Sequence, residues 1–158
     1  MKYDDASWHY GGDFPSDLPP SAGATHIGLF LAWMLLNGFA SEELEEDAAA
    51  ELAQLRSRNL DGREFLFKML DEKLYDEDFN AEGNAFAVAY YAGKNHDGRY
   101  SEDYEQLLAP APDTIYRVEN SWSNYDLLAP RLEKRLAQWR AMGRPQYIDW
   151  ASLPGNCG

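Results

Sequence analysis

Thr25-His26-Ile27-Gly28-Leu29-Phe30-Leu31-Ala32-Trp33-Met34-Leu35-Leu36, followed by Asn37-Gly38, is the stretch whose reading decides the fold. It is apolar on nearly every face, which places a helix at the centre of a domain rather than on its surface. Thr25 has the chemistry of an N-cap and Gly38 that of the residue just past a helix end. The uninterrupted apolar part, Ile27 to Leu36, is well short of the roughly 20 residues that cross a bilayer, and Gly28 breaks it further. The segment therefore reads as a buried core helix around which the remaining chain must wrap.

Outward from it on the C-terminal side, Ser41 caps a second helix whose Glu42 and Glu43 suit the positive end of the dipole. Leu44, Ala48, Leu52 and Leu55 step by three and four, so the intervening acids project to solvent. Asp61-Gly62-Arg63-Glu64 has the form of a capping box, with Phe65, Leu66, Met69 and Leu70 on one face of the helix it opens. A fourth helix is expected from Asn80 to Ala92, carrying Phe86 and Tyr90 and closed by Gly93. Asp97-Gly98 is a turn, and Ser101 caps a short helix that stops before Pro110. Residues 109–120, with Pro110 and Pro112, read as an irregular connection. The last helix runs from about Ser121 to Met142, with Tyr125, Leu128, Leu132, Leu136 and Trp139 inward and Pro130 expected to kink or divide it.

On the N-terminal side, residues 1–23 carry Gly11-Gly12, Pro15 and Pro19-Pro20, which oppose regular structure, and Trp8, Tyr10, Phe14 and Leu18, which need apolar surface. They read as an ordered arm, and residues 144–158 as a C-terminal strap. No set of alternating strands is evident. The expectation is a mostly α single domain over 1–158, a compact bundle of about six helices. The one cysteine, Cys157, permits no intramolecular disulfide, and Met1-Lys2-Tyr3-Asp4-Asp5 lacks the basic and apolar parts of a signal peptide. Both point to the cytoplasm.

Charge says what kind of partner to expect. There are 27 Asp and Glu against 14 Lys and Arg, a net charge of −13. The excess sits in two blocks: Glu42, Glu43, Glu45, Glu46, Asp47 and Glu51 with no base, and Asp71, Glu72, Asp76, Glu77, Asp78 and Glu82 against Lys73 alone. Arg131 to Arg144 is basic, and neutralises part of the acid internally. Such a field speeds association with basic partners and disfavours nucleic acid and anionic membranes. Solubility alone accounts for acidity of this kind as well. Hydrophobic content of 45% rules out a disordered acidic chain.

Chemistry-bearing motifs are sparse. Asp76, Asp78 and Asn80 occupy the first, third and fifth positions of a calcium loop, but Ala81 stands where the turn needs glycine and Ala87 where it needs a bidentate glutamate. No nucleophile elbow, Walker loop or dinucleotide fingerprint is present. His9, His26 and His96 lack the close spacing of a zinc site, so neither a metal nor another cofactor is assigned. One convergence stays open: His9, Asp13 and His26 meet if the arm folds over the first helix, with Asp4 or Asp5 as a further ligand. The alternative is a neutral His26 that donates one ring hydrogen bond and a His9 that fixes the arm. Five Trp and ten Tyr exceed the needs of such a core, and Trp8, Tyr10, Tyr147 and Trp150 lie in the irregular ends, where they serve either a partner or the stapling of the termini.

The strings Trp8-His9-Tyr10-Gly11-Gly12-Asp13-Phe14-Pro15 and Ala24-Thr25-His26-Ile27-Gly28-Leu29-Phe30-Leu31-Ala32-Trp33 resemble those of a family of small uncharacterised bacterial proteins. Arg63-Glu64-Phe65-Leu66, Glu82-Gly83-Asn84-Ala85-Phe86 and Ser121-Trp122-Ser123-Asn124-Tyr125 extend the likeness over most of the chain. It carries no catalytic residues. In size, acidity and expected location the chain also resembles immunity proteins of bacterial toxin systems. That resemblance implies a non-enzymatic protein that binds a basic toxin domain through Glu42, Glu43, Glu45, Glu46, Asp47, Asp76, Glu77 and Asp78. The alternative expectation is an enzyme or a small-ligand or metal-binding protein with its pocket under the N-terminal arm.

Overall fold

The computed structural model describes residues 1–109 and 114–153, so the connection at Pro110 and Pro112, like Cys157, lies outside the described residues. The chain is mostly helical, as its periodicity predicts. A strand β1 (Lys2–Asp5) leads into a short helix α1 (Ala6–Tyr10), and a 3-10 turn at Pro20–Ala24 feeds the central helix α2 (Thr25–Leu36). There follow α3 (Glu42–Asp47), α4 (Ala49–Arg56), α5 (Gly62–Met69), a strand β2 (Lys73–Tyr75), α6 (Ala81–Ala87), α7 (Tyr100–Leu108) and α8 (Trp122–Ala141).

Every residue of α2 from Thr25 to Leu35 is buried. Thr25 does not cap it. The preceding turn runs directly into the helix, and the Thr25 hydroxyl instead accepts a hydrogen bond from Arg63 Nη1 of α5 at 3.1 Å. Gly38, at φ 82°, reverses the chain after α2, and Phe39 N–H returns to the Met34 carbonyl. Helix α5 lies across α2 at glycine-to-glycine distance.

Ser101 does not cap either, since it lies inside α7 and Arg99 precedes that helix without a side-chain cap, but four other caps are local hydrogen bonds that the sequence signals directly. Ser41, Asp61, Asn80 and Ser121 accept from the backbone N–H groups of Leu44, Glu64, Gly83 and Asn124, and Glu64 completes the capping box. Two expectations differ. The helix expected after Ser41 is two short helices, α3 and α4, because Ala48 leaves helical geometry at φ −121°, ψ 29°, while Leu44, Ala48, Leu52 and Leu55 still face the core. Helix α8 continues through Pro130, which lies on the exposed face, so the Asp126 carbonyl that loses its partner is next to water. Beyond α6 the chain makes a π-helical turn at Val88–Ala92 before Gly93, at φ 70°, ends it.

The ends are more regular than their composition suggests. β1 pairs antiparallel with β2, Lys2 opposite Tyr75 and Asp5 opposite Lys73, with a register break between Lys2 and Asp4. At the other terminus Trp150 is buried, donates its indole N–H to the Ala89 carbonyl at 2.9 Å and meets Tyr90 edge-on. It staples the strap onto the bundle. Among the described residues no helix is long and apolar enough to cross a membrane.

Candidate functional site

Three local features bring Asp4, His9 and His26 to one point. The register break in β1 allows Tyr3, Asp4 and Asp5 all to be buried, where strict alternation would expose one face. Asp5 then caps α1, accepting from Ser7 N–H at 2.9 Å, so the strand turns into a helix within one residue and His9 comes back over Asp4. Gly23 lies under α1: a Cβ there would sit 3.2 Å from that of His9, a tight contact, so the glycine lets α1 settle closely onto the turn that leads to His26.

His9 Nε2 lies 2.8 Å from Asp4 Oδ1, and His26 Nε2 lies 3.5 Å from Asp4 Oδ2. The imidazoles meet edge to face, with centroids 4.4 Å apart. Around them, Tyr91 donates its hydroxyl hydrogen to Asp4 Oδ2 at 2.5 Å, Asp5 N–H donates to Asp4 Oδ1 at 2.8 Å, and the Tyr116 hydroxyl lies 2.8 Å from His9 Nδ1. Tyr100 ties the backbone, donating to the His26 carbonyl. His26 Nδ1 is buried without a hydrogen-bond partner among the described residues.

Burial alone would raise the Asp4 carboxyl, but the hydrogen bonds and charge of His26 and His9 outweigh it and hold it well below the usual carboxylate range. His26 is lowered, chiefly by desolvation and against the pull of Asp4, so it is neutral at pH 7. Burial and the neighbouring Asp4 carboxylate push Tyr91 far up, so it remains a donor. The result is one fixed anion holding two imidazoles. A cavity of about 430 Å³ reaches this cluster from the surface, lined by Asp4, His9, His26, Tyr91, Trp8 and Tyr147. Trp8 and Tyr147 are 56% and 41% exposed at its edge, so the excess aromatics divide between this mouth and the Trp150 staple.

The convergence expected for His9 and His26 thus occurs, while Asp13 is exposed and outside it. Asp4 takes its place. Gly11-Gly12 turns the chain away after His9, and the carboxylate that reaches the imidazoles comes from the strand before it. Sequence spacing assigns no metal, yet Asp4, His9 and His26 present ligand atoms all within 4.8 Å of one another. Tyr91 and Tyr116 are 87 and 107 residues from their partners, so no local signal in the sequence marks them.

The acidic stretches also meet. Ala40 and Phe79 form an antiparallel bridge and Ser41 N–H donates to the Asp78 carbonyl at 3.0 Å, so the start of α3 lies directly beside the second acidic block. Glu42, Glu43, Glu45, Glu46, Asp47 and Glu77 are exposed. Only Glu45 of these is in an ion pair among the described residues, with Arg56 at 3.2 Å. Asp78 is a correction to the expected partner surface, whereas Asp76 is half-exposed. Asp76 accepts the N-terminal ammonium at 3.0 Å, and Asp78 is buried, with Oδ2 accepting from Tyr75 N–H at 2.8 Å. Both close the turn that leads into α6.

Burial, reinforced by Glu77 and Asp76, raises Asp78 to about 6. Its protonated form is favoured in the fold, so its contribution to stability is complete below about pH 4, the ordinary carboxyl value, and is lost as pH rises to about 6. Asp78→Asn, which keeps the acceptor, is expected to be more stable than the parent by about 1 kcal/mol at pH 7 and equal to it near pH 4. Urea unfolding at the two pH values measures this.

A family profile described as domain of unknown function (DUF7832) matches residues 2–118, and the chain belongs to that family. The match spans Asp4, His9, His26, Tyr91 and Tyr116 as well as both acidic stretches. No curated protein matches the chain, and no solved structure does.

Proposed function

We propose that the protein binds a basic protein partner through the acidic surface around α3, and that it acts as a cytoplasmic immunity protein that neutralises a toxin domain. The observation that carries this reading is the meeting of the two acidic stretches. Glu42, Glu43, Glu46, Asp47 and Glu77 are exposed beside the Ala40–Phe79 bridge, with no ion-pair partner among the described residues. Surface acids kept only for solubility are as well dispersed as gathered. Gathered and unneutralised, they produce a local field that raises encounter rates with a basic surface by about 10- to 1,000-fold at low salt. A toxin that acts on nucleic acid or nucleotides needs a basic cleft, and an acidic helix can fill it in place of the substrate.

Co-purification with the product of the adjacent gene, and neutralisation of its toxicity, tests the reading directly; a neighbour that is neither bound nor neutralised counts against it. For a partner so identified, Glu43→Lys with Glu46→Lys is expected to slow association about tenfold at low ionic strength and to flatten its salt dependence, with dissociation little changed. Stopped-flow mixing at several salt concentrations separates the two rates. Unchanged association would remove α3 from the interface.

A further inference from the structure

We infer that Asp4, His9 and His26 form a binding site for a divalent transition-metal ion of the zinc class, with an open coordination position facing the cavity under the N-terminal arm. This is independent of the partner reading, because none of the three residues belongs to the acidic surface. Two imidazoles and one carboxylate are the donor set of open, three-ligand sites for borderline divalent ions, and are too rich in nitrogen for calcium or magnesium.

The distances suit an ion. Ligand atoms around a tetrahedral zinc lie roughly 3.3 Å apart, given bonds near 2.0 Å. Here the carboxylate oxygens lie 2.8 and 3.5 Å from the two imidazole nitrogens, and the set lies within 4.8 Å overall. To seat an ion, the widest pair must close from 4.8 Å by about 1.5 Å, a movement that side-chain rotation at the cavity edge can supply.

The outer shell is in place before any ion arrives. A metal-binding carboxylate is oriented by donors, as Asp4 is by Tyr91 and Asp5 N–H, and a metal-binding histidine is oriented through its other nitrogen, as His9 is by Tyr116. Coordination through His9 Nε2 requires that nitrogen to be unprotonated, with the ring proton on Nδ1 donated to the Tyr116 oxygen. His26 differs from His9 here, since its Nδ1, the nitrogen away from Asp4, is buried without a hydrogen-bond partner among the described residues. A buried imidazole normally satisfies both nitrogens. On the remaining side the cavity admits a small ligand, and Trp8 and Tyr147 at its mouth present flat apolar surface to it.

The test is titration of the full chain, first stripped with a chelator, with Zn(II) by calorimetry and with Co(II) by visible absorption. One ion per chain is expected, with the Co(II) spectrum of a nitrogen-containing site of low coordination number. His9→Gln and Asp4→Asn are expected to abolish that spectrum and weaken zinc binding by about 100-fold or more, circular dichroism confirming the fold. Tyr116→Phe keeps both ring and ligands, and is expected to weaken zinc about tenfold through the loss of orientation at His9. Zinc affinity equal in the parent and His9→Gln, or a Co(II) spectrum typical of carboxylate and water alone, overturns the site and assigns any binding to the acidic surface.

Discussion

Asp103→Ala is expected to destabilise the protein by about 3–5 kcal/mol, the largest effect of any single truncation of a polar side chain here. Asp103 is fully buried on α7, and both of its oxygens are used twice. Oδ1 accepts from Arg131 Nη1 and Arg135 Nη2, each at 2.9 Å; Oδ2 accepts from Arg135 Nε at 2.8 Å and Tyr90 at 2.7 Å. Burial alone would push this carboxyl up, but Arg135, Tyr90 and Arg131 outweigh it and hold it below its ordinary value. Truncation removes the anion and leaves Arg135, 1% exposed, and Arg131, 8% exposed, facing each other in the interior. The cost is that of buried like charge, not of a few lost hydrogen bonds. A melting temperature lower by roughly 10 °C is expected for a chain of this length.

The sign of the pH dependence follows from the lowered carboxyl. The stabilisation is present above about pH 4, the unfolded carboxyl value, and is lost as pH falls through the folded one, so the gap between parent and Asp103→Ala should narrow in acid. Replacing the set together, as Asp103→Leu, Arg131→Leu and Arg135→Met, should recover much of the loss, since an apolar cluster carries no desolvation penalty. If the single and triple variants unfold at the same urea concentration, the network's energetics are not those of buried charge.

Arg131 and Arg135 also explain what happens to the basic C-terminal segment seen in the sequence. They meet Asp103, while Arg140 and Arg144 meet Glu82 on α6. These basic residues thereby neutralise Asp103 and Glu82, while Glu42, Glu43, Glu46, Asp47 and Glu77 have no ion-pair partner among the described residues. Internal neutralisation and a residual acidic surface are two results of one arrangement of charge.

What the sequence reveals is what local chemistry decides. Ser41, Asp61, Asn80 and Ser121 can be read as caps because each bond spans three residues, and α2 can be read as central because no face of it tolerates water. Thr25 misleads because a 3-10 turn already supplies the entry to its helix. The β1–β2 ribbon joins residues some 70 apart and has no period long enough to detect. The cluster at Asp4 lies between these cases. The folding of the arm over α2 is predictable from its aromatics, but the choice of Asp4 over Asp13 depends on a register break and a strand-to-helix junction, features set by tertiary packing. Asp78 is hidden for the same reason: within a run of acids it reads as solvated, and its burial beside the Ala40–Phe79 bridge is a tertiary contact.

Gly62→Ala should cost about 3 kcal/mol, although helix propensity by itself predicts a gain of about 1 kcal/mol at an ordinary helical position. The two effects have opposite signs, and geometry decides between them. A Cβ on Gly62 would lie 1.9 Å from the Gly28 carbonyl oxygen and 2.9 Å from Ala32 Cβ. On the facing side, a Cβ on Gly28 would lie 2.5 Å from Arg63 N. These obstacles are backbone atoms and a short side chain, none of which can rotate away. Relief requires α5 to move off α2 by more than about 1 Å, which opens a gap beneath the buried Phe65 and Leu66, where contacts fall steeply with distance. Overpacking of this kind costs about 1–3 kcal/mol and occasionally more, enough to reverse the propensity gain. Gly38→Ala separates sterics from backbone strain: its φ is 82° with no atom within 4 Å of the added carbon, so it should lose only about 1 kcal/mol, from the left-handed conformation. The effect of Gly62→Ala should extend to the site. His26 lies two residues before Gly28, and Arg63 holds Thr25 across the same crossing, so displacement of α5 also loosens the turn that presents the second imidazole. Urea midpoints for the two variants, read beside zinc affinity, test this: a more stable Gly62→Ala protein would mean that α2 and α5 do not cross at this distance.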